Sequence, residues 1–178
     1  MQIPIHRKYR GLFKLFDQSY HPDVDTVIVT GGRSSGKSYS VAIHSMIALV
    51  NYSWNVLYTR YTNMSIEDSV KPEVSDKVEL LGYQSIVKDT QTHIEHANNR
   101  IAFKGIKTGS GVQTASLKSL QGFNCFVVDE AEELPDYKTY KKVFYSIRSA
   151  IKRNLTILIL NPTTKEHWIF EEFTIALW

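Results

Sequence analysis

Residues 31–38 read Gly31-Gly32-Arg33-Ser34-Ser35-Gly36-Lys37-Ser38, which matches the pattern G-x-x-x-x-G-K-[ST] of the phosphate-binding P-loop. The glycines permit backbone angles that a side chain would forbid, so the amides of the loop can turn inward and cradle phosphate oxygens. Lys37 is expected to reach the β- and γ-phosphates, and the Ser38 hydroxyl is expected to ligate Mg²⁺. We interpret all eight residues as a nucleotide site. The alternative is a Gly-Ser-rich loop that happens to end in Lys-Ser.

The residues around this loop have the order that a P-loop requires. Thr26–Thr30 is a short β-branched run, and residues 38–50 carry apolar side chains among small ones, as a buried helix does. Continuous apolar runs also begin at residues 55, 123 and 155, which is typical of strands buried on both faces of a parallel sheet. With helices between these runs, the sequence predicts an α/β fold with a mostly parallel central sheet flanked by helices.

Local patterns predict the remaining elements. Apolar residues at helical spacing predict a helix over residues 5–18. A helix over residues 64–81 is expected from Ser65 as its N-cap with acids in the first turn, and Pro72 is expected to kink or interrupt it. A stretch rich in aromatics and lysines indicates a further helix over residues 137–151. Alternating residues on both sides of Asn98-Asn99 predict a β-hairpin near residues 93–104. Ligands of open α/β sheets bind at the carboxyl ends of the strands, so catalytic groups are expected there.

The strand before residue 129 ends in a pair of acids. Cys125–Val128 is apolar, and Asp129 and Glu130 follow directly, which is the Walker B arrangement. Asp129 is expected to hold Mg²⁺, since this ion prefers carboxylate and phosphate oxygens. Glu130 is expected to orient and deprotonate the attacking water, a role that suits hydrolysis better than transfer to a fixed acceptor. The alternative is the start of an acidic loop, because Glu132 and Glu133 follow.

Three more polar residues are candidates for roles at this edge. Asn161 follows the last apolar strand and could hydrogen-bond the γ-phosphate or the water, although Asn-Pro is also a common turn. Arg33 could stabilise charge in the transition state, as arginine fingers do, or it could face solvent. Arg60 ends the second strand and could contact DNA or a neighbouring subunit, or pair with Glu130 or another acid.

Other candidates have simpler interpretations that are favoured. An adenine pocket could be formed by Tyr9, Arg10 and Phe13, but a helix packed on the sheet by its aromatic side is preferred for the aromatics. Three cations could reach a neighbouring subunit's nucleotide, while an ordinary surface charge is preferred for each: Lys118, Arg148 and Arg153.

Composition limits the class of protein. A chain of 178 residues suits one domain with a sizeable core. The formal net charge of +3 permits contact with nucleic acid without arguing for it. The single cysteine, Cys125, lies in an apolar run, which fits a core residue and a reducing compartment. No apolar stretch approaches the ~20 residues of a membrane span, and the N-terminus has no signal-peptide core. We therefore expect a soluble cytoplasmic protein without a membrane partner.

The ordered set of motifs resembles the large terminase subunit of tailed bacteriophages. Four segments carry the resemblance: the P-loop with arginine at its third position, Arg60 with residues 65–70, the acid-pair neighbourhood at residues 120–133, and Asn161–Trp168. The P-loop alone is shared with many ATPases, whereas the ordered set is much more specific and extends over most of the chain.

The resemblance implies an ASCE-type P-loop NTPase that hydrolyses ATP and pumps double-stranded genomic DNA into a preformed capsid. It implies that Lys37 and Ser38 bind phosphate and Mg²⁺, that Asp129 holds the metal, that Glu130 is the catalytic glutamate, and that Asn161 couples hydrolysis to movement. It also implies a homo-oligomeric ring docked on the portal protein, together with a small terminase subunit, in the host cell cytoplasm. A monomer is an option for the isolated chain.

Full-length members of this family carry an RNase H-like nuclease domain after the ATPase. Because the sequence ends at Trp178, we expect residues 1–178 to be an ATPase domain, or a fragment of one, without nuclease activity. Two alternatives stay open. A helicase-like DNA translocase ATPase should carry further motifs in a second motor domain. A nucleotide-dependent interaction module with little turnover has no need of Glu130. A small-molecule kinase is disfavoured, since no acceptor pocket or lid can be read from the sequence.

Overall fold

The computed structural model of the protein describes residues 3–62, 64, 66–107, 122–147, 152–161 and 167–173. The strands in these ranges are β1 Thr26–Thr30, β2 Val56–Thr62, β3 Lys88–Asp89, β4 His93–His96, β5 Asn99–Lys107, β6 Cys125–Val128 and β7 Leu155–Leu160. The α-helices are α1 Lys37–Tyr52, α2 Lys71–Leu80, α3 Tyr137–Phe144 and α4 Trp168–Glu172. The other helical segments are the 3₁₀ helices Arg7–Phe16 and Ala131–Glu133 and the π-helical segment Ile66–Val70.

The described strands form one sheet in the order β1-β7-β6-β2-β5-β4-β3. The first five strands in this order are parallel, and β4 and β3 complete the sheet in antiparallel pairings. The strand β7 thus lies between the P-loop strand β1 and the acid-bearing strand β6. One additional strand between these two is the arrangement of the ASCE class of P-loop proteins. The predicted mostly parallel α/β fold is confirmed, and the carboxyl ends of β1, β7, β6 and β2 meet at one edge.

The register of the sheet explains why its central strands are continuous apolar runs. One row across the sheet joins Val27, Ile157, Val127, Tyr58 and Phe103. This row lies in the apolar layer beneath α1, α2 and the N-terminal 3₁₀ helix, and the neighbouring rows face α3 and α4. Because both faces are covered, β6 and β7 are buried along their whole length. The resulting core holds the strand ends in fixed positions.

The β-hairpin is confirmed, but its turn lies one residue earlier than predicted. His96 pairs with Asn99, so the loop residues are Ala97 and Asn98 rather than Asn98 and Asn99. Ala97 adopts the left-handed conformation, with φ of 51°. The register pairs Ile94 with Ile101, which buries both. The second strand of the hairpin lies beside β2, so the hairpin extends the central sheet.

Two helices differ from the sequence prediction. The predicted helix 64–81 is a π-helical segment followed by α2, and Pro72 lies in the first turn of α2. The missing amide of a proline is tolerated in a first turn, so of the two expectations for Pro72, a kink or an interruption, the interruption is found. The predicted helix 137–151 ends at Phe144 among the described residues, and Ile147 turns into the core.

Two further observations concern burial. Cys125 is fully buried within the sheet, and this burial raises the pKa of its thiol, which agrees with a core residue. In the ranges that the structure describes, no helix combines the length and apolar character needed to cross a bilayer.

Candidate nucleotide site

The P-loop lies between β1 and α1 and depends on glycine at two of its positions. Gly36 takes φ of 79° and Ser34 takes φ of 59°, so the chain passes twice through the left-handed region. At Gly31 a side chain would collide, because a Cβ there would lie 2.6 Å from both the Ser35 Oγ and the Tyr9 hydroxyl. The loop is therefore tightly packed at its start and strained at its tip.

Lys37 is the central cation of the site and is almost buried, with 8% of its surface exposed. Its Nζ donates to the carbonyls of two P-loop glycines at 2.7 and 2.9 Å and to Asn161 Oδ1 at 2.8 Å. Burial lowers the pKa of Lys37, while the charges of Glu132 and Asp129 act in the opposite direction. The ammonium is thus held by neutral acceptors that an anionic phosphate oxygen would outcompete.

Ser38 and Asp129 bring together the oxygens that a divalent ion needs. The Ser38 Oγ donates to Asp129 Oδ1 at 3.3 Å, across the ends of α1 and β6. Burial raises the pKa of Asp129, and the Arg60 guanidinium and the Ser38 hydrogen bond act against that rise. A cation at these oxygens would offset the cost of keeping a buried carboxylate ionised. A hydroxyl and a carboxylate together fit Mg²⁺, which usually takes few protein ligands.

Glu130 and Arg60 form an ion pair at the ends of the neighbouring strands β6 and β2. Glu130 stands in the left-handed region, with φ of 49° and ψ of 52°. The Arg60 Nη1 also donates to Ser69 Oγ at 2.7 Å, which ties the pair to the π-helical segment. Of the interpretations considered for Arg60, pairing with Glu130 is the one found in the structure.

Asn161 joins the last strand to the rest of the site. Its backbone amide and its Nδ2 both donate to Glu132 Oε1, at 3.1 and 3.2 Å, while its Oδ1 accepts from Lys37. Glu132 was interpreted from the sequence only as part of an acidic loop. Nothing in its spacing indicated a role, because its partner lies 29 residues further along the chain.

The hydroxyl of Tyr9 is a second contact that sequence reasoning missed. It hydrogen-bonds Ser35 Oγ at 3.0 Å and donates to the carbonyl of Thr30 at 3.3 Å. The ring itself is buried, and Phe13 packs beside the same core, so the packed helix was the right choice for these aromatics. Arg10 is exposed. The N-terminal 3₁₀ helix therefore supports the P-loop through the hydroxyl of Tyr9.

Several predicted residues are not brought into this cluster. Arg33 is exposed, and its guanidinium forms no ion pair within the described ranges, so its catalytic role stays a prediction. Arg153 donates to the backbone carbonyls of Tyr20, His21 and Val24, which gives it a structural role here. Some positions of interest lie outside the described residues: Lys118, Arg148, residue 65, residues 120–121 and residues 162–166.

The described residues contain no group of three or more His, Cys, Asp or Glu side chains placed to hold a metal ion. This excludes an all-protein metal cage only in that part of the chain. A magnesium site completed by phosphate oxygens needs fewer protein ligands. The glycine-dependent loop, the buried lysine, the hydroxyl–carboxylate pair and the polar end of β7 define a P-loop NTPase of the ASCE class.

The chain belongs to the phage terminase large subunit family. The family profile described as phage terminase large subunit matches residues 24–175, which include the P-loop, the acid pair and Asn161. This confirms the family that the motifs indicated. A search of curated protein sequences found no significant match.

Solved structures show the same fold at low sequence identity. The large terminase of a thermophilic bacteriophage superposes with a TM-score of 0.76 at 14% identity, over 96% of this chain and 42% of the other. The bacteriophage HK97 large terminase gives 0.69 at 16% identity, over 95% of this chain and 36% of the other. The ATPase domain of the Thermus phage P74-26 large terminase gives 0.64 at 17% identity, over 99% and 71%. The chain therefore spans less than half the length of the first two relatives.

Proposed function

We propose that this chain is the ATP-hydrolysing motor domain of a viral DNA-packaging terminase, which couples hydrolysis of Mg·ATP to translocation of double-stranded DNA into a capsid. One observation carries the proposal. Lys37 and Ser38 lie at the start of the helix after the P-loop, and Asp129 and Asn161 follow the ends of the neighbouring strands β6 and β7. Hydrogen bonds of 2.8 and 3.3 Å join the four residues in pairs. This is the set of groups that phosphate binding, metal binding and sensing of the γ-phosphate require.

The residues fit the nucleotide in their chemistry. Lys37 would bind the β- and γ-phosphates in place of the carbonyls that it now contacts, and the loop amides would cradle their oxygens. Ser38 and Asp129 would hold Mg²⁺, which when bound neutralises charge on the phosphate oxygens. The close packing at Gly31, where a Cβ would meet Ser35 and Tyr9, holds the start of the loop in the conformation that this binding would use.

Glu130 would orient the attacking water and accept its proton at a carboxylate oxygen. In the structure this carboxylate faces Arg60, so it must turn away from the guanidinium to reach a water at the phosphate. Asn161 would then hydrogen-bond the γ-phosphate or the water through its amide. Arg33, exposed at the tip of the loop, would stabilise transition-state charge once a nucleotide is bound.

Structural relatives support both parts of the proposal. The large terminase of the thermophilic bacteriophage has also been solved with ATP-γ-S and with ADP, and these structures superpose at TM-scores of 0.72 and 0.71. The bacteriophage Phi-29 viral genome packaging motor assembly superposes at 0.61 with 15% identity, over 87% of this chain and 48% of the other. The proposal includes a homo-oligomeric ring, docked on a portal protein with a small terminase subunit, working in the host cytoplasm.

The test is ATP turnover at several protein concentrations, with and without linear double-stranded DNA and with and without Mg²⁺. Wild type is expected to hydrolyse ATP only with Mg²⁺, and Lys37→Ala is expected to abolish both ATP binding and turnover. Lys138→Ala is the matched control, because that exposed lysine lies on α3 away from the site. Absence of turnover in wild type under all of these conditions would contradict the proposal, as would full turnover in Lys37→Ala.

A further inference from the structure

Glu132 has an unusual position for a residue with no assigned role. Its Oε1 accepts two hydrogen bonds from one residue, the backbone amide and the Nδ2 of Asn161. Its Oε2 is closed off from solvent and has no hydrogen-bond partner among the described residues. A buried carboxylate oxygen without a partner is costly, so the position of this side chain requires a compensating gain.

That gain is the orientation of the Asn161 amide. Because Nδ2 donates to Glu132, Oδ1 is the atom that faces Lys37 Nζ, at 2.8 Å. The flipped amide would place an NH₂ group against an ammonium and a carbonyl oxygen against a carboxylate, and both contacts would be repulsive. The second bond, from the backbone amide of Asn161, fixes the end of β7 to the same oxygen.

Glu132 can do this because its own turn is held in place. The 3₁₀ helix Ala131–Glu133 begins with the fully buried Ala131. The carbonyl of Glu132 hydrogen-bonds His167 Nε2 at 3.1 Å, and Trp168 Nε1 donates to the carbonyl of Leu134 at 2.8 Å. The turn after β6 is thereby anchored to α4, and the carboxylate of Glu132 is presented to Asn161 from a fixed backbone.

We propose that Glu132 is a positioning residue of the nucleotide site. It orients the side-chain amide of Asn161 so that Oδ1 faces Lys37, and it keeps the end of β7 beside the P-loop. The proposal rests on the proposed function for its kinetic consequences. Glu132 acts through Asn161 and does not itself touch the nucleotide. Losing its carboxylate therefore disturbs turnover, whereas a neutral acceptor of the same shape preserves it.

Kinetics of five variants test this. Glu132→Ala is expected to lower kcat by up to about 100-fold, the scale at which misplacing a group by an ångström slows a reaction, with little change in ATP affinity. Glu132→Gln should keep most of the rate, since its amide oxygen still accepts from Asn161. The double variant Glu132→Ala/Asn161→Ala should be no slower than Asn161→Ala alone. Glu79→Ala, the same change on an exposed glutamate of α2, is the control and should match wild type.

A second readout needs neither nucleotide nor turnover. In the free protein, the side-chain amide protons of Asn161 should exchange slowly and give NMR signals that shift in Glu132→Ala but not in Glu79→Ala. If Glu132→Ala does not fold, Glu132→Asp withdraws the carboxylate by one methylene and should show the same shift and the same loss of rate.

Failure of this inference can be told apart from failure of the proposed function. A wild type that hydrolyses no ATP contradicts the function, while the NMR comparison still tests the positioning. A wild-type rate in Glu132→Ala, a double variant with multiplied losses, or unchanged Asn161 signals would overturn the positioning role alone.

Discussion

At the scale of single residues, Gly31 is a position where adding one methyl group should lower the stability of the protein. A Cβ at this position would lie 2.6 Å from two oxygens, those of Ser35 and Tyr9. Gly31→Ala should therefore lower the free energy of unfolding by about 1–3 kcal/mol, the usual cost of overpacking, and weaken ATP binding as the loop shifts. Gly11→Ala is the control, because a Cβ there meets no atom within 4 Å. Thermal unfolding and ATP titration measure both effects, and equal behaviour of the two variants would contradict the packing.

His44 gives the protein a specific sensitivity to acid. The imidazole is fully buried on α1, stacked on Phe16 and edge-on to Phe13 and Trp54, and neither ring nitrogen has a hydrogen-bond partner among the described residues. Burial lowers the pKa of His44 from 6.5 to about 3. Between these values the unfolded chain binds a proton that the folded chain does not. The free energy of unfolding should therefore fall as pH drops below 6.5.

The expected size is about 1 kcal/mol per pH unit from this one residue. Urea unfolding at pH 7 and pH 5 measures it in wild type and in His44→Leu. The leucine variant should lose less stability than wild type over that interval. An identical loss in both proteins would show that His44 does not contribute.

At this scale a role can be predicted from the sequence where it depends on neighbours in the chain. The P-loop motif predicts the phosphate-binding residues, and these lie together in the loop after β1 and at the start of α1, because their geometry is local. The contacts of Tyr9 with Ser35 and of Glu132 with Asn161 cross 26 and 29 residues, so no local spacing reports them. The pairing of Arg60 with Glu130 was one of several options until the neighbouring strands fixed it.

At the scale of elements, the β4–β5 hairpin contains a strained turn. Ala97 is left-handed, which costs a residue with a side chain roughly 1–2 kcal/mol, while glycine carries an entropic cost of about 0.5–1 kcal/mol. Ala97→Gly should therefore raise the free energy of unfolding, by up to about 1 kcal/mol. Ala102→Gly, on the same hairpin but at a buried strand position, should lower it. Chemical denaturation compares the two, and a fall in both would contradict the strained turn.

The element boundaries show what a pattern can and cannot fix. The strands Thr26–Thr30 and Leu155–Leu160 lie where their β-branched and apolar runs predict. Leu155–Leu160 is buried along its whole length, whereas Thr26–Thr30 forms an edge of the described sheet and is mostly half-buried. Helix ends were less predictable. Within the helix predicted over residues 137–151, α3 ends at Phe144, and Ile147 packs in the same apolar cluster as Tyr140 and Val143.

At the scale of the whole molecule, the order of the strands creates the site. The strand β7 lies between β1 and β6, so Asn161, which directly follows β7, lies between the P-loop and the acid pair. The sequence predicted that these strand ends share an edge. It did not give the pairing of β5 with β2, since pairing between distant segments leaves no local signature.

The most direct test compares ATP binding with ATP turnover in wild type and Glu130→Gln. Glutamine keeps the size of the side chain but cannot accept a proton, and the P-loop and the Ser38–Asp129 pair are untouched. We predict that Glu130→Gln binds Mg·ATP with wild-type affinity and loses at least about 100-fold in kcat. A variant that turns over ATP at the wild-type rate would contradict the proposal that this chain hydrolyses ATP through Glu130.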